Sequence, residues 1–327
     1  MNKKRLIIIL ILVVCVSNVL GSKEKKPSGQ FKFLIKKYSI GCGVYIYKRT
    51  LIKYEKEVSS LVKILVQFGF TEVYLSVSSK RLKSDGKYKQ FFKDLLSALH
   101  INKIKAQAIL LDHKVLYEPD MIKERLVIYL NFNNECKPGM GFYGVNADIE
   151  PHILKQGRDW IPKTFPYRWD KNKYGIGKDN DELMKKVMTS LSMAKKILGK
   201  KKHFAQAIPH FFHHHAVKGD LSTGQINDFL KNCSEVVIMA YSSKAEKVIS
   251  YCKDELKYAK KKKSITIAVK TSLKTKGGGG DSTSFYGAGW DNFLVSLERI
   301  IKDSKKYPSF KGLAVFELAG FLELSKE

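Results

Sequence analysis

Beyond about residue 40 the chain alternates two kinds of segment. Short runs of β-branched and aromatic residues are followed by longer stretches whose apolar positions recur every three or four residues. The short runs predict eight strands, over Gly41–Tyr47, Glu72–Ser78, Ile104–Leu111, Gly141–Glu150, His203–Pro209, Glu235–Tyr241, Ile265–Thr271 and Lys311–Leu318. The longer stretches predict helices near Leu51–Phe68, Tyr88–His100, Met121–Asn131, Asp181–Leu198, Thr223–Asn232, Ala245–Lys260 and Asn292–Asp303. One strand-helix unit per roughly 30 to 40 residues is the layout of an α/β protein built as a single (β/α)8 TIM barrel. A doubly wound open sheet would carry a glycine-rich phosphate loop after its first strand, whereas here that strand runs into Lys48-Arg49-Thr50. The run Gly277–Gly280 lacks the Lys-Ser/Thr ending of a phosphate loop and reads as a turn or lid.

The first residues follow a different pattern. Lys3, Lys4 and Arg5 precede an apolar run from Leu6 to Val16 that is short for a membrane span, and small or branched residues follow to Gly21. Residues 1–21 are therefore expected to be a secretory signal peptide, residues 22–39 an exposed basic leader, and residues 40–327 the barrel. Removal of the signal would leave Cys42, Cys136, Cys233 and Cys252, whose pairing the sequence leaves open.

Composition narrows the partners. With 44% hydrophobic and 28% charged residues the chain has the make-up of a folded protein. Its formal charge is +28, yet only seven of its 59 basic residues are Arg. Scattered lysines attract anions without the bidentate geometry that reads phosphates and bases, so no specific nucleic-acid partner is expected, only weak attraction to anionic surfaces. A monomer is expected.

If the barrel reading holds, the chemistry belongs where strands end on the C-terminal face. The fourth strand ends Asn146-Ala147-Asp148-Ile149-Glu150-Pro151. Alternate residues of a strand share a face, so Asn146, Asp148 and Glu150 point together into the mouth, neighbours about 6.5 Å apart. Two carboxyl groups sharing a poorly solvated mouth push their pKa values apart, which keeps one protonated near neutrality. That is the equipment for cleaving a glycosidic bond.

Gly144-Val145-Asn146-Ala147-Asp148-Ile149-Glu150 resembles the DGxDxDxE signature of the family 18 glycoside hydrolases, the chitinase and endo-β-N-acetylglucosaminidase group. Met239-Ala240-Tyr241, ending the sixth strand, resembles that family's MxY. The resemblance implies a (β/α)8 barrel in which Glu150 is the acid/base and Asp148 orients the substrate's N-acetyl group. Tyr241 would support the cyclised intermediate, and Asn146 and Met239 would line the site. It implies a secreted hydrolase of β-linked N-acetylhexosamine-containing glycans, with an oligosaccharide or polysaccharide as partner. No cofactor and no metal would be required. Three positions depart from the pattern: Tyr143 replaces the opening Asp, Phe316 stands where chitinases place a Trp floor, and Ser242 follows Tyr241. The alternative left open is a lectin-like barrel that binds glycans without cutting them.

Further substrate-binding candidates are Tyr47 on the first strand, Trp160 in the aromatic-rich segment after the fourth, and His210 after the fifth. Trp169, Tyr167 and Phe165 either wall a sugar subsite or pin their loop to the barrel rim. His213, His214 and His215 read as consecutive loop histidines that cannot all face one ion. The seventh strand ends Val269-Lys270-Thr271 and supplies no second glutamate for a covalent sugar intermediate. Alternation turns Glu317 outward if Phe316 faces the mouth.

Overall fold

A computed structural model describes residues 26–83, 87–272 and 281–327. The proposed signal peptide and Gly277–Gly280 lie outside the described residues. Eight parallel strands close into one barrel in sequence order: β1 Gly41–Ile46, β2 Glu72–Ser76, β3 Lys105–Asp112, β4 Gly144–Asp148, β5 His203–Pro209, β6 Glu235–Met239, β7 Ile265–Lys270 and β8 Phe310–Phe316. Each overlaps a predicted run, the fourth being shorter at both ends than the expected Gly141–Glu150. The helices form the outer ring, and among the described residues none is long and apolar enough to cross a membrane.

The barrel interior is packed unevenly. Tyr45 and Tyr74 stack at 4.4 Å between ring centres and face Ala207, Val237, Ala268 and Ala314 from the other strands. Small residues on one side make room for two rings from the other, so the interior fills without a pore. Gly43 is part of this fit, because a Cβ there would lie 2.5 Å from the Tyr74 ring. Outward-facing residues of the strands join the helices in one continuous hydrophobic shell. Cys42, Cys136, Cys233 and Cys252 are unpaired thiols.

One expectation is overturned. The basic segment before residue 40 is not an exposed leader throughout: Pro27–Tyr38 forms helix α1, with Phe31, Leu34 and Ile35 buried. These positions follow the spacing of one helical face, which the Lys, Gly and Ser content had masked. Phe31 packs against the rings of Phe68, Phe70, Trp290 and Phe321, and Trp290 Nε1 donates to Gln30 Oε1 at 2.7 Å. The fold therefore starts with this helix, which lies against Val58–Phe68 and Trp290–Ser304.

The long connection after β4 has little regular structure but is firmly tied. Trp169 N donates to Leu154 O at 2.7 Å, and the Asn180 amide exchanges two bonds with the Asp170 backbone at 2.9 and 2.7 Å. Asp181 accepts from Gly177 N, Ser222 N and Ser222 Oγ and pairs with Lys185. Burial alone would raise its pKa, but these donors hold it at about 2.

Candidate active site

The carboxylates come from the end of β4. Asp148 is the last residue of the strand, and Glu150 follows two positions later, just before Pro151 opens a short 3-10 turn that ends β4's course. Burial raises the pKa of both groups. Asp112, ending β3, raises Asp148 further, and Asp148 raises Glu150. Low polarity and like charge thus act in one direction, favouring a protonated carboxyl in the mouth.

Around the pair lies an aromatic floor from strands on the far side of the barrel. Phe316 stands 5.4 Å from Tyr47 and 5.4 Å from Tyr241, ring centre to ring centre. Burial raises the Tyr241 hydroxyl well above its ordinary value, with the nearby carboxyl groups of Asp148 and Glu150 adding to it. Tyr47 is likewise raised by burial and then by Asp148, Glu150 and Glu317. Both hydroxyls therefore remain donors. Met239 joins the inner cluster with Tyr241 and Phe316. Asn146, one turn of the pleat below Asp148, is fully buried; the Tyr45 hydroxyl approaches it without a well-directed bond.

Buried polar atoms without a hydrogen-bond partner concentrate here: both amide atoms of Asn146, Asp148 Oδ1, His152 Nδ1 and the Tyr45 hydroxyl. Such atoms are costly in a packed interior, and their grouping at the end of β4 makes it the candidate binding position. Two cavities open near the end of β4, one reaching Asp148 and one beyond His152. One of about 450 Å³ reaches from Asp148 and Tyr47 past Ser76 to Asp112 and Arg125. Another of about 320 Å³ begins at His152 and runs toward Trp169 and Phe211.

Sequence reasoning did not single out Asp112 or His152, and it turned Glu317 outward. The β3–β4 pairing shifts register between Ile109 and Leu111, which carries Asp112 opposite Asp148. His152 Nε2 stands 3.5 Å from Glu150 Oε1. Glu317 is half-buried and acts on Tyr47 through its charge, so the outward position expected from alternation does not describe it. An acidic residue ending the third strand was the one available sign of Asp112.

The remaining candidates divide. Trp160 is 45% exposed, with its ring against His113 at 4.8 Å, so it is available as a wall above the β3 and β4 ends. Phe165 and Trp169 are buried and pin the loop. His210 stacks on Tyr251 at 3.9 Å and turns toward the Met239 backbone. The histidines after it are helical, on Phe211–Val217, rather than in a loop. His213 accepts from Ile226 N and His215 pairs with Asp220, so the side chains diverge.

Metal-type donors meet at the opposite end of the barrel. Ligand atoms of Glu72, His203 and Glu235 lie within 4.8 Å of one another. Lys311 already supplies the cation: its Nζ is 2.8 Å from Glu72 Oε2 and 2.5 Å from Glu235 Oε2. His203 bonds Glu235 at 2.8 Å, Gln107 donates to Glu72 at 2.7 Å, and Thr266 donates to Glu235. The group is a buried charge network far from the mouth.

Fold and mouth together define a (β/α)8 barrel that resembles the family 18 glycoside hydrolases. The GH18 chitinase from Pseudoalteromonas aurantia superposes with a TM-score of 0.55 at 10% identity over 88% of this chain and 97% of that one. The putative chitinase A from Streptomyces coelicolor gives 0.52 at 10% identity over 88% and 97%. The Bacillus cereus spore cortex-lytic enzyme SleL gives 0.50 at 10% identity over 88% and 73%. No family model matches the sequence, and no curated protein matches it.

Proposed function

We propose that the chain is a secreted glycoside hydrolase that cleaves a β-linked N-acetylhexosamine-containing glycan by a substrate-assisted, retaining route. The observation that carries this reading is the Asp148–Glu150 pair, both carboxyls raised by burial, above a floor of Tyr47, Phe316 and Tyr241. Protonated Glu150 donates to the leaving oxygen while the substrate's acetamido oxygen attacks the anomeric carbon. Asp148 orients the acetamide and takes up its developing N–H charge, Tyr241 hydrogen-bonds it, and Asn146 tunes Asp148. Glu150, now ionised, then takes a proton from water as that water opens the cyclic intermediate. β7 ends in Lys270, so that strand supplies no second carboxylate; Glu317, after β8 and acting on Tyr47, is the remaining rival nucleophile, and unimpaired turnover by Glu317→Gln would support the substrate-borne one. This route needs no metal or cofactor. The enzyme would act as a monomer, with only weak attraction to anionic surfaces. Signal-directed secretion rests on residues 1–21.

A second reading, glycan binding without turnover, draws on Phe316 in place of a Trp floor. Both are tested with the mature chain on fluorogenic N-acetylglucosamine di- and trisaccharides, chitin and peptidoglycan fragments, beside Glu150→Gln. Release by the wild type and its loss in the variant supports hydrolysis. Saturable binding with no release supports the lectin-like reading, and turnover confined to glycans without an acetamido group removes the substrate-assisted route.

A further inference from the structure

The cavity that opens beyond His152 has apolar walls and a cationic rim. Phe211 and Tyr174 form the walls, backed by the buried Trp169, and Tyr174 is held by the His215 ring stacked on it at 3.7 Å and 13°. Asp220 fixes His215 from behind at 2.9 Å. Two exposed lysines, Lys155 and Lys171, complete the lining, and no carboxylate is among the lining residues. At about 320 Å³ the space suits one sugar ring with its substituents.

Its position ties it to the reacting centre. His152 belongs both to this cavity and, through the 3.5 Å approach of Nε2, to Glu150. The His152 ring is wedged edge-on between Phe211 and Phe212 at 5.5 and 5.8 Å. Lys155 is near enough for its charge to act on His152. A sugar adjoining the scissile bond would therefore lay its ring on the aromatic walls and point substituents at two ammonium groups. Flat aromatic faces accept the apolar side of a pyranose, and unpaired lysines at a rim select for negative charge.

We propose that this cavity is a subsite for an acidic sugar, so that the preferred glycan carries an anionic substituent, a carboxylate or a phosphate ester, on the residue next to the cleaved N-acetylhexosamine. The assignment rests on the glycosidase reading above. It gives a local role to two members of the lysine excess.

The test uses Glu150→Gln in the full mature chain, so that binding is read without cleavage, with titration calorimetry against three probes. These are a neutral N-acetylglucosamine tetrasaccharide, an N-acetylglucosamine–N-acetylmuramic acid tetrasaccharide carrying carboxylates, and a 6-phosphorylated N-acetylglucosamine tetrasaccharide. One or both acidic probes should bind about tenfold more tightly than the neutral one, the preference shrinking at ~0.5 M salt as rim charges are screened. The acidic probe that gains identifies the substituent. Adding Lys155→Met/Lys171→Met should abolish the preference, and Lys155→Arg/Lys171→Arg should keep it. Equal affinity for all three probes, or a preference that survives the Met pair, overturns the proposal. Turnover of neutral chitooligosaccharides without acidic preference removes the subsite and leaves the hydrolase. Acidic preference in a protein whose wild type cleaves nothing removes the hydrolase and leaves the subsite.

Discussion

His152 Nε2 approaches Glu150 Oε1 to 3.5 Å, and the surroundings of this contact disfavour charge on both partners. Burial, and then the Lys155 charge, lower His152 to about 4, while burial and Asp148 hold the Glu150 carboxyl above its usual range. A neutral imidazole beside a protonated acid places no cation where one would strip the acid of its proton. The surroundings therefore favour the protonated carboxyl that the proposed cleavage would use. The same burial has a stability consequence. Because the folded pKa of His152 lies below that of an unfolded His, near 6.5, its unfolded form takes up a proton first, and folding weakens as pH falls from about 6.5 toward 4.

If Glu150 is the proton donor, Glu150→Gln lowers kcat by about 10²- to 10⁴-fold with little change in binding. In the wild type, the alkaline limb of kcat/KM falls at or above neutrality, far from the value near 4.3 of an ordinary Glu, because burial and Asp148 both raise it. A pH-rate profile on a fluorogenic disaccharide checks this. An alkaline limb at pH 4 to 5 would falsify Glu150 as the buried acid.

Asp148→Asn should lower kcat by about 10²- to 10³-fold on acetamido substrates, since it removes charge stabilisation from the cyclising N-acetyl group. It should also shift the Glu150 limb downward, because Asp148 is the like charge that raises it. Both readouts come from one pH-rate series. A large kcat loss with an unmoved limb would mean that Asp148 acts on substrate alone, without coupling to Glu150.

The strands and the β4 carboxylates were legible in the sequence because each depends on local pattern. Gly144–Asp148 is buried on both faces along nearly its whole length, as a barrel strand must be, and the alternation of side chains along a strand places Asn146, Asp148 and Glu150 on one face. Asp112 was not legible, since it meets Asp148 only through a register shift in β3. His152 follows Pro151 in a turn, where alternation no longer says which way a side chain points. Lys155, Lys171 and Phe211 come together only through the folded loop after β4. The helical face of Phe31, Leu34 and Ile35 was present in the sequence but outweighed by a polar, lysine-rich composition.

At the closed end of the barrel, Lys311→Met leaves Glu72 and Glu235 buried without their shared cation. The expected cost is about 3 to 5 kcal/mol in urea denaturation. Glu235 has a folded pKa below its unfolded value: burial would raise it, but His203 and Lys311 outweigh that. Its contribution is present above the ordinary Glu pKa and is lost as pH falls through the depressed value. Wild-type stability should therefore drop below about pH 4, and the variant should show a shallower drop. Unchanged stability at pH 7 would show that the network is dispensable.

Phe31→Ala tests whether the helix before β1 belongs to the fold. Phe31 is fully buried and touches four aromatic rings, from the helix Val58–Phe68, the residue leading into β2, and the last two helices of the chain. Those partners are distant in sequence and come from both sides of the seam where β1 meets β8. A ring removed from such a position loses its transfer energy and leaves a cavity that rigid neighbours cannot close, so the expected loss is about 3 to 5 kcal/mol. An exposed leader would instead tolerate the change within about 0.5 kcal/mol. Phe33, on the same helix but 55% exposed, provides the control: Phe33→Ala should cost much less. Equal, small losses for both variants would return the segment to the status of a leader. A loss confined to Phe31→Ala would mean that any truncation intended to isolate the barrel must begin before Pro27.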